Sequence, residues 1–354
     1  MAIFNLFGKK GKSKNKGYYS IQISNIEKLN SKAVAVEFEI PPSLKSEFTF
    51  LPGQYLNLIL NINNEEHRRS YSICSHPDEA IRIAVKRVEK GIVSNWFNDL
   101  TEYSDPILVS APTGSFTLPK NAKSYVAIAA GSGITPIMSI LKAHSDNCES
   151  TLIYGNKTQD EAIFLNEVKN LPIKSATHFF SREKVADMKE GRIDKGTLTA
   201  LIKANIEILK NDYFLICGPE EMIHTCKETL NFFGLSNDKI LFELFTTPSV
   251  SIEENKNDAF DGKSQVRVII DDEEASFELA GKGSSILDAV ESEGMDAPYS
   301  CRGGVCSSCK AKVLEGSAAM DLNYSLTDED VKEGYILTCQ AHPTSEILKI
   351  SYDE

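Results

Sequence analysis

Three thiols stand at C-x4-C-x2-C spacing in Cys301-Arg302-Gly303-Gly304-Val305-Cys306-Ser307-Ser308-Cys309, and Cys339 follows after 29 intervening residues. Four thiolates can hold two irons when three come from one tight loop and the fourth from elsewhere, which is the ligand pattern of a plant-type [2Fe–2S] centre. Gly303 and Gly304 permit the left-handed turns that wrap backbone around such a cluster. Small residues also let peptide N–H groups approach negatively charged sulfur. A zinc site usually shows two C-x2-C pairs, whereas this chain has one such pair and an isolated Cys; a disulfide pair is the other alternative.

A one-electron centre needs a source of electrons upstream. In Arg69-Ser70-Tyr71-Ser72 an Arg can fork onto a diphosphate, a Tyr ring can stack on a flat isoalloxazine and a Ser hydroxyl can reach a ring nitrogen. A helix starting near Gly91-Ile92-Val93-Ser94 offers free N–H groups to the same phosphates. Gly131-Ser132-Gly133-Ile134-Thr135-Pro136 is part of a dinucleotide fingerprint, with Pro136 where a third Gly would stand. Two glycines still let a pyrophosphate approach the backbone, and Pro suits a first helical turn. Each upstream motif alone also has an ordinary structural reading: an exposed Arg beside a core Tyr, or a tight turn.

Two kinds of architecture must position these residues. From Tyr18 to about Thr117, short alternating runs such as 33–40, 55–60, 69–73 and 81–87 predict an antiparallel β-barrel with one helix near 93–100. From Ser124 the period changes. Strands at 125–130, 150–155, 177–180, 213–217 and 240–245 alternate with helices to about 143 and at 160–170, 196–210 and 220–232. That alternation predicts a parallel α/β sheet, with ligand at the carboxyl ends of the strands. Polar, aperiodic 246–263 reads as a flexible linker. The remainder, 264–354, should contain strands near 265–270 and 275–279, a helix at 285–293 capped by Ser284 or Ser285, and the cysteine loop. Residues 1–17 form a basic tail expected to be disordered, with weak membrane-surface contact as the alternative.

The chain has 354 residues, 42% hydrophobic and 25% charged, enough for two or three domains each with its own core. No apolar run approaches the roughly 18 residues needed to span a bilayer, and no secretory signal is evident. With four of the eight Cys committed to a cluster, Cys74, Cys148, Cys217 and Cys226 are scattered, which suits a reducing cytoplasm. The net charge of −12 is concentrated at one end: 264–354 carries 7 basic and 18 acidic residues, a balance of −11. This argues against nucleic acid and for steering toward a basic protein partner, although acidity also serves solubility.

Taken together and in this order, the four motifs Arg69–Ser72, Gly131–Pro136, Cys217-Gly218-Pro219 and Cys301–Cys309 resemble a ferredoxin–NADP reductase-type flavoprotein with a C-terminal plant-type ferredoxin. Within that family, Ile153–Thr158, Gly191–Asp194 and Glu243-Leu244-Phe245 are similar to the reductase components of phenylacetyl-CoA epoxidase. The resemblance covers all but the tail and linker. It implies an FAD-binding barrel at 18–118, an NAD(P)-binding α/β domain at 119–245 and a β-grasp ferredoxin domain at 264–354. Arg69, Ser70, Tyr71 and Ser72 would bind FAD, with Ser72 at the reactive flavin nitrogen; Gly91, Val93 and Ser94 would hold its pyrophosphate, and Lys86 joins the cofactor-binding set. Gly131, Gly133, Thr135 and Pro136 would support the nicotinamide nucleotide. Cys217, Gly218 and Pro219 would line the nicotinamide site, and Phe245 would shield the flavin. Cys217 also has the plain reading of a small buried hydrophobe.

Related NADPH users place a Ser and an Arg on the 2′-phosphate where Ser181 and Arg182 stand. The missing ribose carboxylate agrees, since it would repel that phosphate, so NADPH is expected and NADH is the alternative. A hydride would pass from NAD(P)H to flavin, and electrons would go singly to the cluster and on to an oxygenase, with the linker letting the ferredoxin module visit the flavin and then the partner. Serving another oxygenase or a desaturase, or acting as a non-catalytic redox carrier or sensor, are the alternative functions. Nothing in the sequence reports the oligomeric state.

Overall fold

A computed structural model describes residues 17–103, 105–245 and 260–354. The basic tail at 1–16 and most of the expected linker, 246–259, lie outside the described residues.

The first sheet consists of β1 (Tyr18–Asn30), β2 (Ala33–Glu39), β3 (Tyr55–Ile62), β4 (Glu65–Ser72), β5 (Arg82–Lys86) and β6 (Ile107–Ser110), with α1 (Ile92–Asp99) after β5. Its antiparallel order is β4-β3-β6-β1-β2-β5, and a bridge between Ile73 and Ile83 joins the two edges into a barrel. Closure removes the exposed edges that would otherwise recruit other strands. Asn63 and Asn64 take left-handed φ of 56° and 66°, the geometry a two-residue hairpin needs between β3 and β4. Val34, Val36, Phe38, Leu56, Leu58 and Ile83 fill the barrel, and α1 plugs one end with Val93 and Phe97.

The second sheet is parallel: β7 (Ser124–Ala130), β8 (Glu149–Asn156), β9 (Ser175–Phe180), β10 (Lys189–Glu190), β11 (Tyr213–Cys217) and β12 (Ile240–Glu243), ordered β10-β9-β8-β7-β11-β12. Its helices are α2 (Ile134–His144), α3 (Leu165–Lys169), α4 (Lys195–Ala204) and α5 (Glu220–Phe232). Strand periodicity divides β7 between two cores. Tyr125, Ala127 and Ala129 pack with α2, while Val126 and Ile128 pack with α4 and α5. Because β7 is flanked by β8 on one side and β11 on the other, strand order reverses beside it, opening a crevice at the carboxyl ends of β7 and β11.

The third sheet comprises β13 (Lys263–Ile270), β14 (Glu273–Ala280), β15 (Lys310–Glu315), β17 (Tyr335–Leu337) and β19 (Ile347–Ser351) in the order β14-β13-β19-β15-β17. A separate ribbon pairs β16 (Ala318–Met320) with β18 (Ala341–Pro343). β13 and β19 run parallel while their other neighbours are antiparallel, and α6 (Ile286–Ser292) packs across the sheet with Ile286, Leu287 and Val290, giving a β-grasp core. Ser285 caps α6 by accepting from the Asp288 N–H at 3.2 Å. The remaining helix, α7 (Asp328–Lys332), precedes β17.

The expected fold class holds, with three local corrections. The helix read at 160–170 is confined to α3. Phe164 adopts a left-handed φ of 60°, and the Ile163 carbonyl accepts from the buried Tyr154 hydroxyl at 3.0 Å, so tertiary contacts take this backbone out of a helix. The helix read at 196–210 breaks at Asn205, with 206–210 continuing as a 3₁₀ turn. The strand read to Phe245 stops at Glu243; Leu244 is buried and Phe245 is exposed.

Candidate active site

At the crevice, β7 runs into Gly131–Gly133, and β11 into Cys217 and Gly218. The two turns are pressed together. A Cβ on Gly133 would lie 2.1 Å from the Cys217 carbonyl oxygen, and one on Gly218 would lie 3.2 Å from the Ala130 Cβ. Gly131 has a φ of 55°, and the Thr135 hydroxyl donates to the Ser132 carbonyl at 3.0 Å, closing the turn. Pro136 sits in the first turn of α2 and Pro219 caps α5. Lys86 reaches across from the barrel: its Nζ lies 3.8 Å from the position of a Gly131 Cβ and 3.7 Å from the Glu161 carboxylate. It thus faces the Gly131 turn. Ser181 and Arg182 are exposed beyond β9, and their N–H groups donate to the carbonyls of Asn156, the last residue of β8, and Lys157, the next one.

On the barrel side, Arg69 is exposed, while Tyr71 packs edge-on against Phe97 at 5.9 Å. Ser70 departs from its expected setting, since its hydroxyl is taken by Asn57 at 2.7 Å and by Ser300 at 2.8 Å. Val93 is buried in the barrel core, so only its backbone can face a ligand. Ser94 Oγ is occupied within the turn, accepting from the Val88 N–H at 3.2 Å. The first N–H groups of α1 are the donors left to a ligand there.

Ser72 and Cys217 converge on Glu243, which opens the Glu243-Leu244-Phe245 stretch but has no expected site role. The Ser72 hydroxyl donates to Glu243 Oε2 at 3.4 Å, and Glu243 is paired with Cys217 across β11 and β12. Glu243 is half-buried and lines the cleft between the modules, and desolvation there raises its pKa from 4.5 to about 8 against the pull of Ser72. Burial, with the Glu243 carboxyl second, pushes the Cys217 thiol well above its ordinary value, so Cys217 is a small buried side chain and not a thiolate. An acidic residue closing the apolar strand 240–243 was the available signal.

The pH dependence follows in sign. Folded protein keeps a proton on Glu243 that unfolded chain loses above 4.5, so this contribution is full below that pH and is lost as pH rises toward 8. Glu243→Gln should flatten that slope, as read from urea midpoints between pH 5 and 8. An unaltered slope would show that Glu243 does not titrate in this window.

The four cluster cysteines come together. Cys306, Cys309 and Cys339 are buried and Cys301 is half-buried. Gly304 is left-handed at φ 73°, and a Cβ there would meet the Leu322 carbonyl at 2.9 Å. Cys301 N–H donates to Cys306 Sγ and Gly303 N–H to Cys301 Sγ, both at 3.3 Å. Cys339 is carried in by its neighbours: Thr338 donates through both N–H and hydroxyl to the Cys309 carbonyl, at 3.1 and 3.0 Å, and Gln340 Nε2 donates to the Arg302 carbonyl at 2.9 Å. The thiols fall into two neighbouring pairs, Cys301 with Cys306 and Cys309 with Cys339. Among the described residues no three His, Cys, Asp or Glu side chains converge on a single-ion position. Two thiol pairs with N–H groups aimed at sulfur fit a two-iron cluster.

The cluster loop is seated against the other two modules. The Tyr55 hydroxyl donates to the Cys306 carbonyl, and Val305 and Tyr324 pack on the α4 and α5 side of the second sheet.

Comparison with known proteins accords with this geometry. Residues 20–118 match the oxidoreductase FAD-binding domain family, 127–228 the oxidoreductase NAD-binding domain family and 268–344 the 2Fe-2S iron-sulfur cluster binding domain family. Over 349 residues the chain is 35% identical to one of the component polypeptides of 1,2-phenylacetyl-CoA epoxidase from Escherichia coli K12, covering 95% of this chain and 98% of that protein. The chain belongs to the ferredoxin–NADP reductase-type iron–sulfur flavoproteins. This reductase is also 32% identical to the ferredoxin reductase component of 3-ketosteroid-9-alpha-monooxygenase from Rhodococcus rhodochrous, over 94% of this chain and 96% of that one. Its fold resembles the solved structure of phthalate dioxygenase reductase, with a TM-score of 0.58 at 24% identity, covering 95% and 98% of the two chains. As a member of the family, the reductase passes electrons from NAD(P)H through FAD to a [2Fe–2S] cluster. No helix among its described residues is long and apolar enough to cross a membrane.

Proposed function

We propose that this reductase is the NADPH-dependent electron-transfer component of a cytoplasmic oxygenase system acting on a CoA thioester, of the phenylacetyl-CoA epoxidase kind. The observation that carries the reading is full-length similarity to a component of that epoxidase, with the cysteine loop seated on Tyr55, the strand partner of Ser72. When bound, FAD converts the two electrons of a hydride into two single-electron transfers, and the [2Fe–2S] cluster is the one-electron outlet.

The chain's own residues supply placement. Arg69 and the α1 N–H groups would hold the flavin diphosphate, Tyr71 and Phe245 would pack on its ring system, and Ser72 would meet its reactive edge. The Gly131–Pro136 turn, Lys86 and Gly218-Pro219 hold the nicotinamide nucleotide, with Cys217 packing as a small wall. Glu243, protonated below about pH 8, offers Ser72 and the nicotinamide a neutral carboxyl where a charge would be costly. Cys301, Cys306, Cys309 and Cys339 bind the cluster. The functional modules are 18–118, 119–245 and 264–354, joined across 246–263.

Ser181 and Arg182 select NADPH through its 2′-phosphate. Arg182→Ala should move the NADPH:NADH ratio of kcat/KM toward NADH by about tenfold, the scale of one charge-assisted contact. A ratio equal to wild type would remove Arg182 from coenzyme selection.

The partner is tested by reconstitution. Purified reductase with NADPH should drive product formation by a phenylacetyl-CoA epoxidase oxygenase, and pull-down should recover an oxygenase. Drive of a ketosteroid monooxygenase in its place would assign the reductase to another system, a reading that rests on the 32% relative.

A further inference from the structure

Strand β4 contacts two different sets of residues. Arg69, Tyr71 and Ser72 are the residues assigned to flavin, whereas Arg68 and Ser70 meet the cluster module. Across the hairpin, Asn57 pairs with Ser70 and Tyr55 with Ser72, so these four share one face. Segment 296–306 lies along it. Arg68 Nη2 pairs with Asp296 Oδ1 at 3.3 Å, Ser70 Oγ lies 2.8 Å from Ser300 Oγ, and Tyr55 donates to the Cys306 carbonyl.

Arg68 is the most enclosed charge in this set, its side chain only 7% exposed. Its Nε donates to Glu66 at 2.9 Å, and its guanidinium lies 4.6 Å from the Tyr299 ring centroid. A second guanidinium, that of Arg302 in the cysteine loop, lies 4.2 Å from the same centroid, and Asp288 and Glu291 hold it from α6. One aromatic ring is therefore engaged by a cation from each module, and such contacts strengthen when desolvated.

We propose that this face of β4 is the docking rail that sets the cluster loop against the flavin site, with Arg68 as its anchor and the positioning residue of the intramolecular electron step. The proposal rests on the flavin lying at Ser72 and the cluster among the four cysteines. Electron tunnelling falls exponentially with separation, so a loosened rail slows transfer without changing stoichiometry. Per turnover NAD(P)H is oxidised to NAD(P)⁺ by loss of a hydride, whose proton is released to solvent while its two electrons cross one at a time and leave to two equivalents of a one-electron acceptor such as ferricytochrome c. The rail acts only on that crossing.

The test is Arg68→Ala in holoprotein, followed by stopped flow with NAD(P)H and by hydrogen exchange of the 296–306 peptide. Flavin bleaching should proceed at the wild-type rate while cluster reduction slows at least about tenfold, and the peptide should lose protection in the resting protein. Tyr299→Ala should behave alike, and the double variant should be no slower than the worse single, since both remove one contact. Arg68→Lys, which keeps the charge for Asp296 but not the planar fork, should fall between. Wild-type cluster reduction or unaltered protection in Arg68→Ala would overturn the proposal, as would equal slowing of flavin bleaching and cluster reduction, which would make Arg68 a barrel residue only. Dithionite reduction with electron paramagnetic resonance separates the two layers: a normal cluster signal in every variant upholds the cluster assignment whatever the rates, and its absence in wild type would sink that assignment instead.

Discussion

Replacing Cys339 with Ser should abolish NAD(P)H-driven reduction of ferricytochrome c, a loss of about 100-fold or more, while NAD(P)H-driven reduction of ferricyanide continues from the flavin. The selectivity follows from where Cys339 sits. It belongs to the third sheet's module, paired with Cys309 and tied to the cysteine loop through Thr338 and Gln340. Neither the Gly131 turn nor the Ser72–Glu243 contact depends on it. Visible absorbance, iron content and the reduced-state paramagnetic signal check the result directly. A variant that kept two irons per chain and full cytochrome reduction would remove Cys339 from the ligand set, leaving three cysteines and no two-pair arrangement.

Gly133→Ala should cut kcat/KM for NAD(P)H by about 100-fold, because displacement of about 1 Å at a reacting site costs on that order. The new Cβ would lie 2.1 Å from the Cys217 carbonyl oxygen and 2.4 Å from its carbon. Both are backbone atoms and neither can rotate away, so the Gly131–Pro136 turn must move off β11 and carry the start of α2 with it. Overpacking of this kind also costs about 1–3 kcal/mol of stability. Flavin content and the cluster signal should stay near wild type, since both cofactors are held by other modules. Gly196→Ala supplies the control: its Cβ would sit at an ordinary 3.4 Å from Asp194 in the first turn of α4, and coenzyme use should not change. Wild-type kcat/KM in Gly133→Ala would mean that the nucleotide does not depend on this turn.

The chain's own pattern was enough for the electron path and for the three modules. Cysteine spacing, the Gly131–Pro136 turn and the change from period-two strands to alternating strands and helices are local properties, written in adjacent residues. Helix ends failed where remote contacts intervened, as at 160–164, whose backbone is held by Tyr154 from β8. The Ser70 reading met the same limit: its place in Arg69–Ser72 suggested flavin, but Asn57 and Ser300 occupy its hydroxyl. Tyr55 and Arg68 stand in no motif, and the Glu243-Leu244-Phe245 stretch says nothing of where the Glu243 carboxyl lies. Each acquires its setting from residues at least 170 positions away, Glu243 from Ser72, Tyr55 from Cys306 and Arg68 from Asp296. A ligand set is encoded by spacing, because the loop that bears it folds on itself. A desolvated carboxyl or a docking face exists only once separate modules are packed together, because burial and charge pairing belong to the assembled surface and to no single stretch of chain.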